Sequence, residues 1–343
     1  MVEYEGEHMD IEIMPNRTAN QHQMVLVTHD ESTFYSNDGR KSFWLSKNES
    51  ALKKKGPGGS LMVSDFLCAC HGPLKISKEM ANQLGLSSER ARVIIMPGKN
   101  KDGWWKSEDM VEQLKNLAIP IFKALHPTCI GVFLFDQSTN HNAYSMDALV
   151  AKRMTLHPKE DRVYCFKNGF FYKNDEIIEQ CMYFMNNGRP YFKGIKQILL
   201  ERGLWKEGLK LECMNHTNGV DCCAREILSN QLDFALQKNA LVEACESNGC
   251  LADFYPKFHC ELNFIERYWG AAKRMAREQC DYTFNGLKQR VPEILDSITL
   301  SEIRRYARKA WRYMDAYYNG LNAEEAERAV KKFKSHRRIR LDD

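Results

Sequence analysis

The sequence contains no apolar run of the roughly 20 residues that a membrane-spanning helix requires, which excludes such a helix. Its acidic first residues lack the basic start and the apolar stretch of a secretory signal peptide. Internal repeats and low-complexity segments are also missing, which excludes a solenoid or a largely disordered chain. We therefore expect an intracellular protein of one large or two modest globular domains, without a membrane partner.

A strong charge imbalance is missing too, since 49 Lys and Arg face 45 Asp and Glu, for a formal net charge of +4. The charge is unevenly distributed, however, because residues 263–343 contain 18 Lys and Arg against 12 Asp and Glu. A basic C-terminal third predicts a polyanionic partner, although solvated helix faces produce the same surplus. The dense basic stretch at 331–338 is typical of phosphate binding or of nuclear localisation, and we expect a nuclear protein.

Short apolar runs predict β-strands, and longer stretches with helical spacing predict helices. The strands are expected at 24–28, 60–67, 129–135 and 251–255, and the helices at 107–124, 146–154, 264–278 and 300–318. The run 129–135 is almost wholly apolar, which predicts a central strand covered on both faces. Residues 1–22 show no periodicity and are predicted to be an irregular lead-in. Strands followed by helices indicate a mixed α/β fold.

Three acidic residues stand at the ends or starts of these elements. Asp30 comes just after the run 24–28, Asp136 directly follows the run 129–135, and Glu266 lies near the start of a predicted helix. Binding sites in open α/β sheets collect at strand ends, and Mg²⁺ prefers a few carboxylates with water and substrate phosphate. Enzymes that break phosphodiester bonds commonly hold two such ions about 3.5–4 Å apart. The three residues are therefore candidate metal ligands.

Each of these carboxylates also has a purely structural interpretation. An Asp after a strand often forms a turn or a cap. The segment 263–266 fits a variant capping box, in which Glu266 would bond back to the backbone. Spacing alone does not show that the three side chains converge.

The sequence around the three carboxylates carries further information. The segments are His29-Asp30-Glu31-Ser32-Thr33-Phe34, Phe135-Asp136-Gln137-Ser138-Thr139-Asn140-His141 and Glu261-Leu262-Asn263-Phe264-Ile265-Glu266-Arg267-Tyr268-Trp269-Gly270. In this order they resemble the signature segments of mariner-like DDE transposases, and the resemblance extends from about residue 24 to the end. It implies an enzyme that cuts DNA and transfers strands, with Asp30, Asp136 and Glu266 as catalytic ligands of two Mg²⁺ or Mn²⁺ ions.

The resemblance also implies an RNase H-like α/β fold, a mixed sheet flanked by helices. The first part of this catalytic core would occupy 23–155, and the last part, with basic helices, 251–343. Because 129 residues separate Asp136 from Glu266, more than in simpler members of the family, we expect a large insertion at 156–250. His141 would contact DNA or orient a metal-bound water, or would serve as a hydrogen-bonding residue at a helix start.

Members of this family normally carry helix-turn-helix modules before the catalytic domain. Only 29 residues precede Asp30, too few for one such module. We therefore expect that the DNA-reading part has been lost or is supplied by a partner, with a homodimer as one possibility. The rival hypothesis is a catalytically inactive, transposon-derived DNA-binding protein.

The helix predicted at 264–278 has one apolar stripe, which we expect to face the core. Basic residues lie largely outside the stripe and are candidates for contact with DNA phosphates, with a solvated face as the alternative. They are Arg267, Lys273, Arg274 and Arg277.

Two groups of soft ligands occur in the chain. Cys213, His216, Cys222 and Cys223 lie within eleven residues and are candidates for a structural zinc site, although adjacent cysteines suit one ion poorly and buried thiols are the alternative. The segment Cys68-Ala69-Cys70-His71 is a weaker candidate, since successive strand residues point to opposite faces. A zinc-stabilised binding module is a third hypothesis for the whole chain.

Overall fold

The computed structural model describes residues 1–18, 20–40, 54–160, 163–213 and 222–332. The chain forms two compact units, one of Met1–His141 with Leu241–Asp343 and one of Asn142–Ala240. His216 and the basic tail beyond residue 332 lie outside the described residues. In the part of the chain described, no helix has the length and apolarity to cross a bilayer.

The strands are β1 (Glu3–Glu5), β2 (Ile11–Ile13), β3 (Met24–Tyr35), β4 (Ser60–Cys68), β5 (Gly72–Pro73), β6 (Val93–Ile95), β7 (Ile130–Phe135), β8 (Lys159–Glu160), β9 (Gly169–Lys173), β10 (Glu176–Gln180), β11 (Tyr183–Asn186), β12 (Arg189–Phe192) and β13 (Leu251–Phe254). The α-helices are α1 (Lys78–Gln83), α2 (Ser107–Gln113), α3 (Ile119–Leu125), α4 (Ile195–Glu201), α5 (Ala224–Ser229), α6 (Leu232–Ala235), α7 (Ala240–Glu246), α8 (Ile265–Glu278), α9 (Phe284–Ser297), α10 (Leu300–Tyr318) and α11 (Ala323–Lys332).

The first unit is built on a six-stranded sheet in the order β13-β7-β3-β4-β5, with β6 also paired to β4. Strands β3, β7 and β13 are parallel, whereas β4 runs opposite to its neighbours β3, β5 and β6. One face packs against α2, α3 and α7, and the other against α8, α9 and α10. This is the predicted RNase H-like arrangement, a mixed sheet flanked by helices.

Side-chain alternation along β3 distributes its residues between the two faces. Val25 and Val27 belong to the core shared with α2 and α3, whereas Phe34 belongs to the core shared with α8 and α9. Between them the strand continues through polar residues. Successive acidic residues on β3 therefore serve different faces of the sheet.

The extent of β3 corrects the prediction that this strand ends at about residue 28. β3 continues to Tyr35 because β4 pairs with it antiparallel, from Val27 opposite Cys68 to Tyr35 opposite Ser60. Asp30 consequently lies inside a strand. The other predicted strands are confirmed in β4, β7 and β13.

The helix predicted at 107–124 is confirmed as α2 and α3, joined by a π-helical segment, Leu114–Ala118. Pro120 near the start of α3 cannot donate a backbone hydrogen bond, and the wider turn directly before it accommodates that missing donor. The helices predicted at 264–278 and 300–318 are confirmed as α8 and α10. The helix predicted at 146–154 is wrong, since that stretch contains a single 3₁₀ turn, Ala151–Arg153.

The N-terminal stretch predicted to be irregular contains a hairpin, in which β1 and β2 pair antiparallel. Arg304 of α10 holds it in place, donating 2.8 Å to the carbonyl oxygen of Met9 and lying 3.8 Å from the ring centre of Tyr4. Arg308, one turn further on, forms an ion pair with Glu5 at 3.2 Å. Because these contacts are long-range, they produce no hydrophobic periodicity in the first 22 residues.

The second unit overlaps the stretch predicted as an insertion. It contains the hairpin β9–β10, the sheet β11-β12-β8 and the helices α4, α5 and α6. Its own core includes Phe166, Ile198 and Leu228. Arg202 and Asp233 form a buried ion pair at 2.7 Å. The Asp233 carboxylate, on α6, also accepts a hydrogen bond from the backbone N–H of Phe170 on β9, and this bond fixes α6 against β9.

A second buried ion pair joins the large sheet to the helices of its second face. Asp65 on β4 is fully buried, and its carboxylate accepts from the guanidinium of Arg92 at 2.6 Å. Arg92 also donates to the hydroxyl of Tyr268 on α8 at 2.8 Å and contacts Asp296 on α9 at 3.0 Å. Asp65 pairs across the strands with Asp30, so Arg92 neutralises a buried carboxylate on the strand beside that residue.

Replacing Arg92 by Ala should lower the free energy of unfolding by about 3–5 kcal/mol, because Asp65 would be left buried without its partner. Urea denaturation measures the change. The matched control is Arg90→Ala, which removes a partly exposed pair with the same Asp296 and should cost about 1 kcal/mol or less. Similar losses in the two variants would contradict this role for Asp65 and Arg92.

Candidate active site

The pairing of β3 with β7 brings the two predicted aspartates to the same level. The parallel register places Val27 beside Phe133 and Thr28 beside Leu134, where β7 is about to end. Continued by two residues, this register sets Asp30 beside Asp136. β3 extends past this level, so Asp30 lies within β3, whereas Asp136 is the first residue after β7.

Glu266 is brought to this level by the start of α8, which is fastened to β3. The amide of Asn263 donates to the backbone oxygen of His29 at 3.2 Å, and its oxygen accepts from the hydroxyl of Thr28. Tyr255, at the end of β13, donates to the same Thr28 hydroxyl at 3.2 Å. Glu266 follows in the first turn of α8.

The three carboxylates influence each other's ionisation. Burial and repulsion from Glu266 raise the pKa of Asp30 well above its usual value, with a smaller contribution from Asp136. Burial and repulsion from Asp136 likewise raise the pKa of Glu266, against the opposing attraction of Lys273. The indole of Trp269 donates to Asp30 at 3.1 Å. The structure thus places the three predicted residues within electrostatic reach of one another.

Asp136 has a cationic neighbour, because His141 bonds to it through Nδ1. His141 is 1% exposed, and its Nε2 lies 3.4 Å from the carboxylate of Glu31. Burial alone would lower the pKa of His141, but the bonds to Asp136 and Glu31 raise it to about 10. The same bond holds the pKa of Asp136 below its usual value despite burial. The predicted direct contact of His141 with DNA does not fit its burial, and it lies in a turn instead of at a helix start.

Two residues beside Asp30, His29 and Glu31, were not predicted as part of the site. Glu31 and His29 point to the opposite face of β3, where Glu31 accepts from the indole of Trp105 at 2.9 Å. His29 is buried, contacts Ser64 through Nε2 at 2.8 Å, and burial lowers its pKa to about 4. Ligand atoms of His29, Glu31 and His141 all lie within 4.8 Å of one another. If the predicted strand had been extended to residue 31, side-chain alternation would have placed Glu31 and Asp30 on opposite faces of the sheet.

A cleft of about 340 Å³ opens beside the carboxylates. Asp136 and Glu266 line it together with the loop that follows β13. Within this loop Phe258 is 99% exposed and has a left-handed backbone, with φ of 68°. The cleft therefore offers access to two of the three carboxylates beside an exposed aromatic ring.

The four basic residues proposed for DNA contact have different surroundings. Arg267 lies 5.8 Å from the ring of Tyr313, and the guanidinium of Arg277 forms an ion pair with Asp38 at 3.0 Å. Lys273 is half-buried, and its Nζ lies 6.0 Å from the ring centre of Phe34 on β3. Arg274 is exposed on α8.

The thiols of Cys213, Cys222 and Cys223 are close together in the second unit, with all three Sγ atoms within 4.8 Å. Cys213 and Cys222 are 3.1 Å apart. None of the twelve cysteines, all of which lie among the described residues, forms a disulfide. The thiols of the adjacent Cys222 and Cys223 therefore lie close to that of Cys213, while the fourth predicted donor, His216, lies outside the described residues.

The donor set of the carboxylate group fits hard divalent cations. Carboxylate oxygens are the ligands that Mg²⁺ and Mn²⁺ favour. Burial and repulsion from neighbouring carboxylates raise the pKa of Asp30 and Glu266, and a bound cation would offset that repulsion. The oxygens of Asp30, Asp136 and Glu266 do not all lie within 4.8 Å of one another. Two ions about 3.5–4 Å apart need a wider spread of ligands than one ion does.

No protein-family model matches the chain, and no curated protein does. Among solved structures, it is similar to a Mos1 mariner paired-end complex with Mn, at 12% identity and a TM-score of 0.43, over 90% of this chain and 56% of that one. It is also similar to a pre-cleavage Mos1 transpososome (10%, TM-score 0.43, 90% and 57%) and to a Mos1 strand transfer complex (11%, TM-score 0.40, 92% and 56%). The chain spans a little over half the length of these proteins.

Replacing His141 by Gln should lower the free energy of unfolding of the metal-free protein, by an amount that shrinks as the pH rises. The pKa of His141 is raised to about 10 from 6.5, so its charge stabilises the fold fully below about pH 6.5. This contribution is lost as the pH rises towards 10. Urea unfolding with a chelator present, at pH values across this window, measures it. His22→Gln, at an exposed position, is the control, and a deficit independent of pH would contradict the assignment.

Proposed function

We propose that this chain is the catalytic domain of a DDE-type enzyme that hydrolyses DNA phosphodiester bonds and transfers DNA strands. Asp30, Asp136 and Glu266 would bind two Mg²⁺ or Mn²⁺ ions. The observation that carries the proposal is the register of β3 and β7, which sets Asp30 beside Asp136 at the point where β7 ends. The bond from Asn263 to the backbone of β3 supports it by bringing Glu266 to the same place.

The ions, when bound, would supply positive charge for the attacking and leaving oxygens of a DNA phosphate. Neighbouring side chains would hold the carboxylate ligands in position. Trp269 fixes Asp30 by a hydrogen bond, and His141 orients Asp136. Both supports come from buried side chains, which restrict how Asp30 and Asp136 can turn.

We propose that DNA enters through the cleft beside Asp136 and Glu266. Phe258 at its rim is a fully exposed ring, and such rings stack on unpaired bases. Lys257 next to it and Arg274 on α8 are exposed cations suited to phosphates. DNA as substrate and the basic tail in the sequence also support a nuclear location.

Recognition of specific DNA ends is a separate matter. We propose that a partner, or a second copy of the chain, supplies end recognition. The proposed catalytic site does not depend on this assignment.

Supercoiled plasmid should be nicked by this protein with Mg²⁺ or Mn²⁺ and left intact with a chelator. Asp136→Asn should reduce nicking by roughly a hundredfold or more, because the substitution removes a ligand charge. Glu266→Gln should do the same. Agarose electrophoresis of time courses measures the rates.

The matched control for these variants is Asp253→Asn on β13, an exposed carboxylate near the same end of the sheet that bonds to the backbone amide of Phe254. It should nick within about twofold of the unaltered protein. Equal activity of Asp136→Asn and the unaltered protein would reject the assignment. DNA binding without any metal-dependent nicking would favour the inactive DNA-binding protein.

Arg274→Ala should weaken binding to duplex DNA and reduce the slope of log affinity against log salt by about one, because one phosphate contact is lost. Fluorescence anisotropy across a salt series, on an Asp136→Asn background that prevents cutting, measures both. Arg277→Ala is the control, since this guanidinium is already paired with Asp38. Identical slopes for the two variants would exclude a contact from Arg274.

A further inference from the structure

Four potential metal donors meet where β4 ends and where α3 ends. Cys68 is the last residue of β4, and the chain turns through Cys70 and His71 before β5 begins. His126 caps the end of α3 and stacks on Phe122, with ring centres 4.9 Å apart. Because β4 stops at Cys68, the alternation that disfavoured the segment 68–71 as a site does not apply beyond that residue.

Most of the distances among these donors suit one tetrahedral ion. His71 Nδ1 and His126 Nε2 are 3.2 Å apart, and Cys68 Sγ lies 4.0 Å from the first and 3.9 Å from the second. Ligand atoms of Cys68, Cys70 and His126 are all within 4.8 Å of one another. Zinc–sulfur bonds of about 2.3 Å and zinc–nitrogen bonds of about 2.0–2.1 Å put tetrahedral ligand atoms about 3.3–3.8 Å apart. His71 is not part of the group formed by Cys68, Cys70 and His126, so Cys70 and His71 would have to move closer together to complete the shell.

We propose that Cys68, Cys70, His71 and His126 bind one structural Zn²⁺ ion. Two thiolates and two imidazoles in a tetrahedral arrangement are typical of zinc. Four protein donors leave no open position, so the ion would stabilise the fold and take no part in catalysis. The site is distinct from the carboxylates, whose oxygen donors suit harder cations.

The surroundings shift the ionisation of the four donors in different directions. Burial, with a smaller effect from His71, lowers the pKa of His126 to about 4, and burial also lowers that of His71. A hydrogen bond from Cys68 lowers the pKa of the Cys70 thiol to about 6, with help from Tyr4 and Arg304, and the same bond raises the pKa of the Cys68 thiol well above its usual value. Arg304 also donates to the backbone oxygen of Cys70 at 3.2 Å, which fixes the turn.

The ion would join elements that are distant in sequence. His126 follows α3 on one face of the sheet, and Cys70 lies beside Arg304, which holds the N-terminal hairpin. A zinc ion here would therefore fasten α3 to the β4–β5 turn, at the opposite end of β4 from Ser60.

The test is the metal content of the full chain and its binding of Co²⁺, whose visible absorption reports tetrahedral thiolate ligation. Cys68→Ser combined with Cys70→Ser should remove one equivalent of zinc and the matching cobalt absorption. Cys129→Ser, a thiol three residues after His126, is the control and should change neither. A variant with Cys213, Cys222 and Cys223 all replaced by Ser should keep this equivalent, which separates the two thiol groups.

His71→Ala keeps the test decisive if the buried double variant does not fold, because His71 is exposed. It should weaken zinc binding at least tenfold in a chelator competition while the circular dichroism spectrum stays unchanged. Unchanged zinc affinity in His71→Ala, or the same metal content and cobalt spectrum in the double variant as in the unaltered protein, would overturn the proposal. The four side chains would then form a metal-free hydrogen-bonded network.

Discussion

The positions of Asp30, Asp136 and Glu266 depend on a difference in length between the neighbouring strands β3 and β7. β7 stops at Phe135, whereas β3 continues beside β4 to Tyr35. The step between them exposes the side of β3 at Asp30 and leaves room for the start of α8. Asn263 occupies this step, bonding to the backbone that β7 no longer pairs. If β7 were two residues longer, strand pairing would compete with α8 for the same backbone groups.

Much of the fold could be predicted because the residues of β7, α8 and α10 repeat at the spacing of a single element. The full length of β3 could not, since its polar second half is held in a strand by β4, which follows a long connection. α9 was not predicted, and its interior Pro292 disguises a helix. The acidic residues of the site could be named from short segments. Their partners could not, because His141 reaches Glu31 across 110 positions.

Several basic residues of the described C-terminal third have an internal use. Arg304 and Arg308 hold the N-terminal hairpin, and Arg277 pairs with Asp38. Arg267 lies against an aromatic ring of α10. Counting charges along the sequence therefore overstates the cations that remain for a polyanion. Among the four residues predicted on α8, Arg274 is the one that the structure leaves exposed.

Trp269 has a consequence for how this protein can be observed. Its indole touches Asp30, and it stands one helical turn after Glu266, so its surroundings change whenever the charge at either carboxylate changes. An indole bonded to a carboxylate is an optical reporter built into the molecule. The difference in emission between the unaltered protein and Trp269→Phe isolates that reporter from the other five tryptophans. Protonation or cation capture at this point of the sheet can thereby be followed without attaching a dye.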